Sequence, residues 1–204
     1  MAKRYMKWTL LGATVATMYP AGIAVSGFLP VFVPPNVGVE LPVFIPQAPE
    51  AELSDEITED IARRLEAAGN FCASLPANEY LVDCLGDALG QIARDLPGTG
   101  DYAEARKAID QASRKLRKLA RDNADPDLPR GVVRGRGENA GLLTSQLTPV
   151  RSDRRAAVNR EALAIIEEAE TILLRSAEAS ASRKVHYQTI AAAFGSNKVL
   201  LRST

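Results

Sequence analysis

The sequence predicts an all-α fold, an antiparallel helical bundle or a set of helical hairpins with four to five helices, preceded by an extended Pro-rich arm. Apolar residues recur at steps of three and four along several segments, which places them on one face of a helix. Aromatic residues make up only 5% of the 204 residues, and an Ala- and Leu-rich apolar set favours helices over strands. Closely spaced prolines before these segments exclude helix and central strand there.

Residues 1–26 have the composition of an export signal. Lys3, Arg4 and Lys7 form a basic head, and an uncharged run of about 11 residues and then several small residues follow, as in a secretory signal peptide. The uncharged stretch is also long enough for an uncleaved membrane anchor. A buried helix of a cytoplasmic protein is the third alternative, but it leaves the basic head unexplained. We therefore expect export to the periplasm or the extracellular space, with the N-terminus removed or kept as an anchor.

Residues 27–50 form the predicted arm and carry an internal repeat. Residues 29–34 are Leu-Pro-Val-Phe-Val-Pro, and residues 41–46 are Leu-Pro-Val-Phe-Ile-Pro. Proline favours an extended, polyproline-like chain, which leaves large apolar side chains without local burial. We expect the arm either to pack along the helical body or to dock on a partner or a membrane surface. The candidate contact residues are Phe28, Phe32, Phe44 and Ile45.

Residues 51–204 form the predicted helical domain. Apolar stripes over residues 57–75, 81–96, 102–119 and 158–173 predict four helices, and a last helical piece covers about residues 184–194. Residues suited to cap a helix stand before the four stripes: Ser54, Asn78, Asp101, and Ser152 or Asp153. Gly195 is expected to end the last helix. The regular spacing indicates helices that pack at shallow angles.

Charge is distributed unevenly along this domain, although the net charge of the chain is zero. Residues 48–101 contain 12 acidic and 3 basic residues, whereas residues 114–160 contain 12 basic and 5 acidic residues. We expect the acidic and basic elements to lie against each other within one bundle. The alternative is a basic face kept for an anionic partner. The zero net charge gives no reason to expect nucleic acid as a partner.

Cys72 and Cys84 are the only cysteines, and both lie near the predicted turn between the first two helices. Folding the helices back on each other about that turn brings the two side chains to a similar height. In an exported protein such a pair predicts a disulfide. Two buried free thiols are the alternative.

The segment from about 122 to 151 is rich in glycine and proline and is expected to be a long flexible loop. Arg130, Arg134 and Arg136 lie in its glycine-rich part. This run is not a phosphate-binding loop, which needs a preceding strand and a terminal Gly-Lys-Ser/Thr. The three arginines are candidates for binding an anionic lipid or glycan of the cell envelope. The alternative is a solvated loop without a ligand.

Catalytic patterns are weak in this sequence. His186 is the only histidine, so a multi-histidine metal site is excluded, and we expect an exposed or helix-capping role for it. Glu167, Glu168 and Glu170 flank an apolar stripe, a common place for acids on packed helices. We therefore expect neither catalysis nor a metal or other cofactor, and an enzyme is the least favoured class.

Two functions remain from these patterns. The first is a non-catalytic exported envelope protein that acts as a scaffold or assembly component through its helical body and apolar arm, with a protein partner in the envelope. The alternative is a binding module for an anionic envelope lipid or glycan through the basic Gly/Arg loop.

Overall fold

The computed structural model of this chain describes residues 52–135 and 142–203. The chain divides into two units, Met1–Ile45 and Pro46–Thr204, and every described residue belongs to the second. The predictions for the signal, for the arm with Phe28, Phe32, Phe44 and Ile45, and for Arg136 lie outside the described residues.

The described part is mostly helical, which confirms the predicted all-α class. Its α-helices are α1 (Asp55–Ala73), α2 (Leu81–Asp95), α3 (Ala103–Asp122), α4 (Arg155–Ser176), α5 (Ala181–Gly195) and α6 (Asn197–Arg202). Short 3-10 turns, Asn78–Tyr80 and Ala177–Ala179, precede α2 and α5. The short α6 is an additional element that the apolar pattern did not predict.

The five long helices pack as a closed ring, in which each contacts the next and α5 returns to α1. Cys72 near the end of α1 is joined to Cys84 near the start of α2. Arg64, earlier on α1, pairs with Asp95 at the end of α2. These two contacts show that α1 and α2 are antiparallel, as predicted.

The pair that closes the ring, α1 and α5, is parallel. Thr58 at the start of α1 lies beside His186 on α5, and Gly69 towards the other end of α1 approaches Asn197, just beyond α5. A ring with an odd number of helices cannot alternate in direction at every neighbouring pair, so one parallel pair is required.

Helix α2 is the most buried element. Eleven of its 15 residues are buried, including both the predicted apolar stripe and the opposite, polar side. Asp83, Gly86, Asp87 and Gly90 all lie on this second side and are buried. The stripe predicted from the sequence was therefore correct but too narrow.

The helix starts show which capping predictions hold. Ser54 caps α1, because its side chain accepts a hydrogen bond from the Ile57 amide. The prediction for Asn78 is wrong, since it begins a 3-10 turn whose side chains make no capping bond. The cap predictions for Asp101 and for Ser152 or Asp153 are also wrong, since no side chain caps α3 or α4. The two aspartates pair with arginines: Asp101 with Arg183 and Asp153 with Arg151.

On α1 and α4, the buried residues differ in part from the predicted apolar stripes. Ile57 is exposed, and its neighbour Thr58 is buried at the start of α1. On α4, Ile166 is fully buried, whereas Ile165 packs only partly against the core. Gly195 is the last residue of α5, as predicted, but the chain continues directly into α6.

The described parts of the segment between α3 and α4 are paired at three places. Antiparallel bridges join Ala124 to Val150, Gly131 to Leu147, and Arg134 to Leu143. We call residues 124–150, of which 136–141 are not described, the bridged loop. Its described parts contain no helix or strand, which agrees with the irregular segment predicted. The antiparallel pairing between the two sides of the loop was not predicted.

Candidate functional site

Two buried carboxylates on α2 hold the bridged loop against the helices. Asp83 and Asp87 are only 1% and 2% exposed. Asp83 accepts a hydrogen bond of 2.7 Å from the Thr148 amide. Asp87 accepts from the amide of Ser145 at 2.9 Å and from its hydroxyl at 2.6 Å. The polar side of α2 therefore binds the backbone of the loop, as a buried polar group must find partners.

Arg117 on α3 supplies the opposite charge at the same place. Its guanidinium lies 3.3 Å from the Asp87 carboxylate and 3.7 Å from that of Asp83, and it donates a hydrogen bond of 3.2 Å to the Ser145 hydroxyl. Burial raises the pKa of the Asp83 carboxyl, while the Thr148 amide and the charge of Arg117 act in the opposite direction. The cluster thus joins α2, α3 and the loop in one polar contact.

This cluster was not anticipated from the sequence. The sequence does contain a pattern that could have indicated it. Asp83, Gly86, Asp87 and Gly90 are spaced at i, i+3, i+4 and i+7. That spacing defines one helix face, made of acids and glycines in place of apolar residues. The expectation that acidic and basic elements lie against each other is confirmed here, because the acids of α2 face Arg117.

His186 takes part in a hydrogen-bonded chain, so the expectation of an exposed or capping histidine is wrong. Its Nδ1 lies 2.8 Å from the Thr58 hydroxyl, which lies 2.8 Å from the Tyr102 hydroxyl. Tyr102 donates onwards to the Ser54 carbonyl at 2.9 Å. Because Tyr102 has only one proton, Thr58 donates to it and accepts from His186. The chain links α1, α3 and α5.

The arrangement around His186 does not form a nucleophile–base–acid triad. Thr58 is 3% exposed, so its hydroxyl is closed to a substrate. The Asp55 carboxylate lies 3.9 Å from Nδ1, the same ring nitrogen that contacts Thr58. A triad needs the two partners on opposite ring nitrogens. The described geometry supports a structural role for His186.

The acidic group on α4 is also occupied by contacts between elements. Glu168 pairs with Lys115 on α3, Glu170 with Lys198 on α6, and Glu167 lies near Arg202 on α6. These acids therefore join neighbouring elements. Within the described ranges, no three or more His, Cys, Asp or Glu side chains are grouped to hold a metal ion.

An apolar groove lies between α1, α2 and the bridged loop. It is lined mainly by aliphatic and aromatic side chains, and it encloses a cavity of about 110 Å³. Phe71 and Ile92 form its floor, while Leu142 and Leu143 stand at its rim, partly exposed. The sequence did not predict the groove, because its walls come from three segments far apart along the chain.

The predicted anion-binding residues lie on the surface of the bridged loop. Arg130 and Arg134 are both exposed, and no carboxylate of the described residues is paired with either one. Val132, between them, is 60% exposed. The structure therefore brings these two arginines to one surface, next to an exposed aliphatic side chain.

The predicted cysteine pair is joined. Cys72 and Cys84 form a disulfide with a Cα–Cα separation of 5.8 Å, and both residues are buried. A disulfide is compatible with an exported protein. None of the helices in the described part of the chain has the length and apolar character needed to cross a bilayer.

Comparisons with known proteins give no relative for this chain: no protein-family model, no curated protein and no solved structure matches it.

Proposed function

We propose that this chain is a non-catalytic, exported envelope protein that acts as a scaffold or assembly component through its helical body and its apolar arm. The apolar groove between α1, α2 and the bridged loop carries the proposal. The disulfide between Cys72 and Cys84 supports export, because such bonds persist in oxidising compartments. The proposed location is the periplasm or the extracellular space.

The size of the groove favours a protein partner. Pockets for small molecules enclose roughly 300–1,000 Å³, whereas this cavity measures about 110 Å³. A single aliphatic or aromatic side chain fits a space of that size. Interfaces between proteins are commonly anchored by one such side chain in a preformed pocket. Leu142 and Leu143 at the rim extend the apolar surface that a partner covers.

A photocrosslinking amino acid at Leu143 tests this surface in the native envelope. Leu143 is 46% exposed at the groove, so the substitution leaves the core intact. We expect ultraviolet irradiation to give one discrete protein adduct, identified by mass spectrometry. The matched control carries the same amino acid at Val185, which is 63% exposed on α5 and away from the groove. Identical adducts from both positions, or none from Leu143, contradict the proposal.

The arm is tested by its two phenylalanines. We expect the double variant Phe32→Ala and Phe44→Ala to lower retention of the protein partner, since each buried Phe contributes about 1.5–3 kcal/mol. Copurification from crosslinked envelopes measures the retention. Val37→Ala, between the two repeat copies, is the control. Unchanged retention in the double variant means that the repeat is only a spacer.

Export is tested with a fusion of residues 1–50 to a reporter enzyme that is active only outside the cytoplasm. The basic head and the uncharged run after it are the features of an export signal, so we expect reporter activity. A fusion that replaces Lys3, Arg4 and Lys7 by glutamate is the control and should be less active. An intact but silent fusion in the cytoplasm ends the export proposal.

A second candidate function is binding of an anionic envelope lipid or glycan. It is favoured by Arg130 and Arg134, which are exposed without a carboxylate partner among the described residues. Binding of the full chain to such a ligand should weaken as salt is added, because salt screens exposed charges.

A further inference from the structure

One face of the bridged loop alternates between arginine and an aliphatic residue. Arg130, Val132 and Arg134 are exposed, whereas Gly131 and Val133 between them are partly buried. Side chains of an extended chain point to opposite sides at successive positions. The three exposed residues therefore share one side of the loop, which faces solvent.

Exposed apolar side chains are concentrated in the same loop. Eight large apolar residues of the described chain are exposed, and four of them belong to the bridged loop: Leu128, Val132, Leu142 and Leu143. The other four are divided among separate helices, one each on α1, α4, α5 and α6. Single exposed apolar residues need no explanation, but a group of them marks a contact surface.

Three basic residues of α3 have carboxylate partners, unlike the arginines of this face. On α3, Arg114 pairs with Asp110, Lys115 with Glu168, and Lys118 with Asp122. Arg130 and Arg134 have no such partner among the described residues. No carboxylate among the described residues therefore neutralises their charge.

We propose that this face, with Arg130, Val132, Arg134 and the neighbouring Leu128, contacts the surface of an anionic phospholipid bilayer. The two guanidinium groups bind lipid phosphates, and the two aliphatic side chains enter the boundary between headgroups and acyl chains. This inference rests on the second candidate function and names its ligand.

The shape of the face supports a bilayer as the ligand. Val132 is 60% exposed, so its side chain is placed to enter the surface of a partner. The loop is held to α2 through the hydrogen bonds of Asp83 and Asp87. Because these bonds and the antiparallel bridges hold the described backbone of the loop, binding costs less conformational entropy.

A fluorescent probe at Val132 tests the contact directly in the full chain. Val132→Cys is labelled with an environment-sensitive fluorophore without reductant, which preserves the disulfide. We expect a blue shift with vesicles of phosphatidylcholine and phosphatidylglycerol, and no shift with phosphatidylcholine alone. Val185→Cys is the control, because Val185 is equally exposed on α5 but has no place in the proposed surface. Vesicle binding without a shift at Val132 overturns the inference, even if another segment reaches the bilayer.

The arginines are tested by the same probe. Arg130→Gln and Arg134→Gln should each lower the affinity for the anionic vesicles roughly fivefold, which is the effect of one basic residue near an anionic surface. The dependence of the shift on vesicle concentration gives this affinity. Arg175→Gln, an exposed arginine on α4, should leave the affinity unchanged. A soluble anionic glycan tests the glycan alternative. If the glycan abolishes the shift, and Val132→Ser binds the vesicles as tightly as the native chain does, the loop binds glycans and the bilayer inference is wrong. If the probe at position 132 shows no shift but the Leu143 crosslink is still formed, the lipid inference is wrong and the scaffold proposal is unaffected.

Discussion

At the scale of single residues, buried polar side chains act as links between distant parts of this chain. Asp83 connects α2 to Thr148 of the bridged loop, and Thr58 connects α1 to both Tyr102 and His186. A buried polar group costs free energy unless it is hydrogen-bonded. These residues therefore favour the one arrangement of the elements in which these hydrogen bonds form.

Asp83 makes stability depend on pH. Its pKa is raised, chiefly by burial, above the ordinary value of 3.8, so the folded chain holds this proton more tightly than the unfolded chain. Its contribution to stability is therefore largest at low pH and is lost as pH rises from 3.8 through the raised pKa. Asp83→Asn has no such proton. Its free energy of unfolding should therefore rise, relative to that of the native chain, as the pH increases from 3.8 through the raised pKa. Urea titrations at several pH values measure this, and parallel curves contradict it.

Thr58 provides a second residue-scale prediction. Thr58→Val keeps the shape but removes the hydroxyl, which leaves Tyr102 and His186 each short of a buried partner. We expect a loss of about 1–3 kcal/mol, measured by urea unfolding. Thr189→Val is the matched control, because its exposed hydroxyl contacts only a backbone carbonyl of its own helix. Equal stability of the two variants would show that the hydrogen-bonded chain is dispensable.

At the scale of elements, the most extensive contact between described helices is the one between α2 and α3. A Cβ at Gly86 would lie 2.7 Å from Cγ of Arg117 and 3.1 Å from its backbone nitrogen. A Cβ at Gly90 would lie 2.6 Å from the Ser113 hydroxyl. Because the glycines allow this approach, Ser113 can donate a hydrogen bond of 2.6 Å to the Gly86 carbonyl.

Gly86→Ala should therefore destabilise the fold. Alanine is a better helix former than glycine by about 1 kcal/mol, so an open position would gain stability. Here the added methyl group must push the α3 backbone away, and overpacking of this kind costs about 1–3 kcal/mol. Thermal unfolding gives the comparison with Gly131→Ala, where a Cβ meets no atom within 4 Å. A stabilised Gly86→Ala variant would mean that α2 and α3 are farther apart than the structure shows.

At the scale of the whole molecule, a closed ring of helices is braced at the α1–α2 turn. The disulfide joins residues 12 positions apart, and closing a loop of this length stabilises by about 3 kcal/mol on the chain-entropy model. Both cysteines are buried, and Cys84 lies on α2, the helix that contacts α1, α3 and the bridged loop. The bridge thus limits opening of the ring at its most buried helix.

Reduction should lower the stability of the native chain by that amount, about 3 kcal/mol. Urea unfolding with and without reductant measures the change. The double variant Cys72→Ala and Cys84→Ala is the control, since its unfolding should not respond to reductant. A native chain whose midpoint is the same in both conditions shows that the bridge does not stabilise the fold.

Several features were determined by the sequence alone because they depend on neighbours along the chain. Helix class follows from apolar spacing of three and four, the start of α1 from Ser54, and the disulfide from two cysteines beside one turn. The anion-binding role of Arg130 and Arg134, which rests on a local run of glycine and arginine, stays a prediction. Local spacing is visible in a single sequence, and the physics that links it to structure acts within one or two helical turns.

Only the tertiary structure decided the rest. The parallel pairing of α1 with α5, the groove, and the partners of Asp83, Asp101 and His186 all join residues far apart in sequence. Thr58 and His186, for example, are separated by 128 positions. A candidate cap such as Asp101 could bind either its own helix or a distant arginine, and which one wins depends on where Arg183 is brought by folding. Side chains with several possible partners are assigned by the packing of the whole chain, because the strongest partner is known only once the helices are in place.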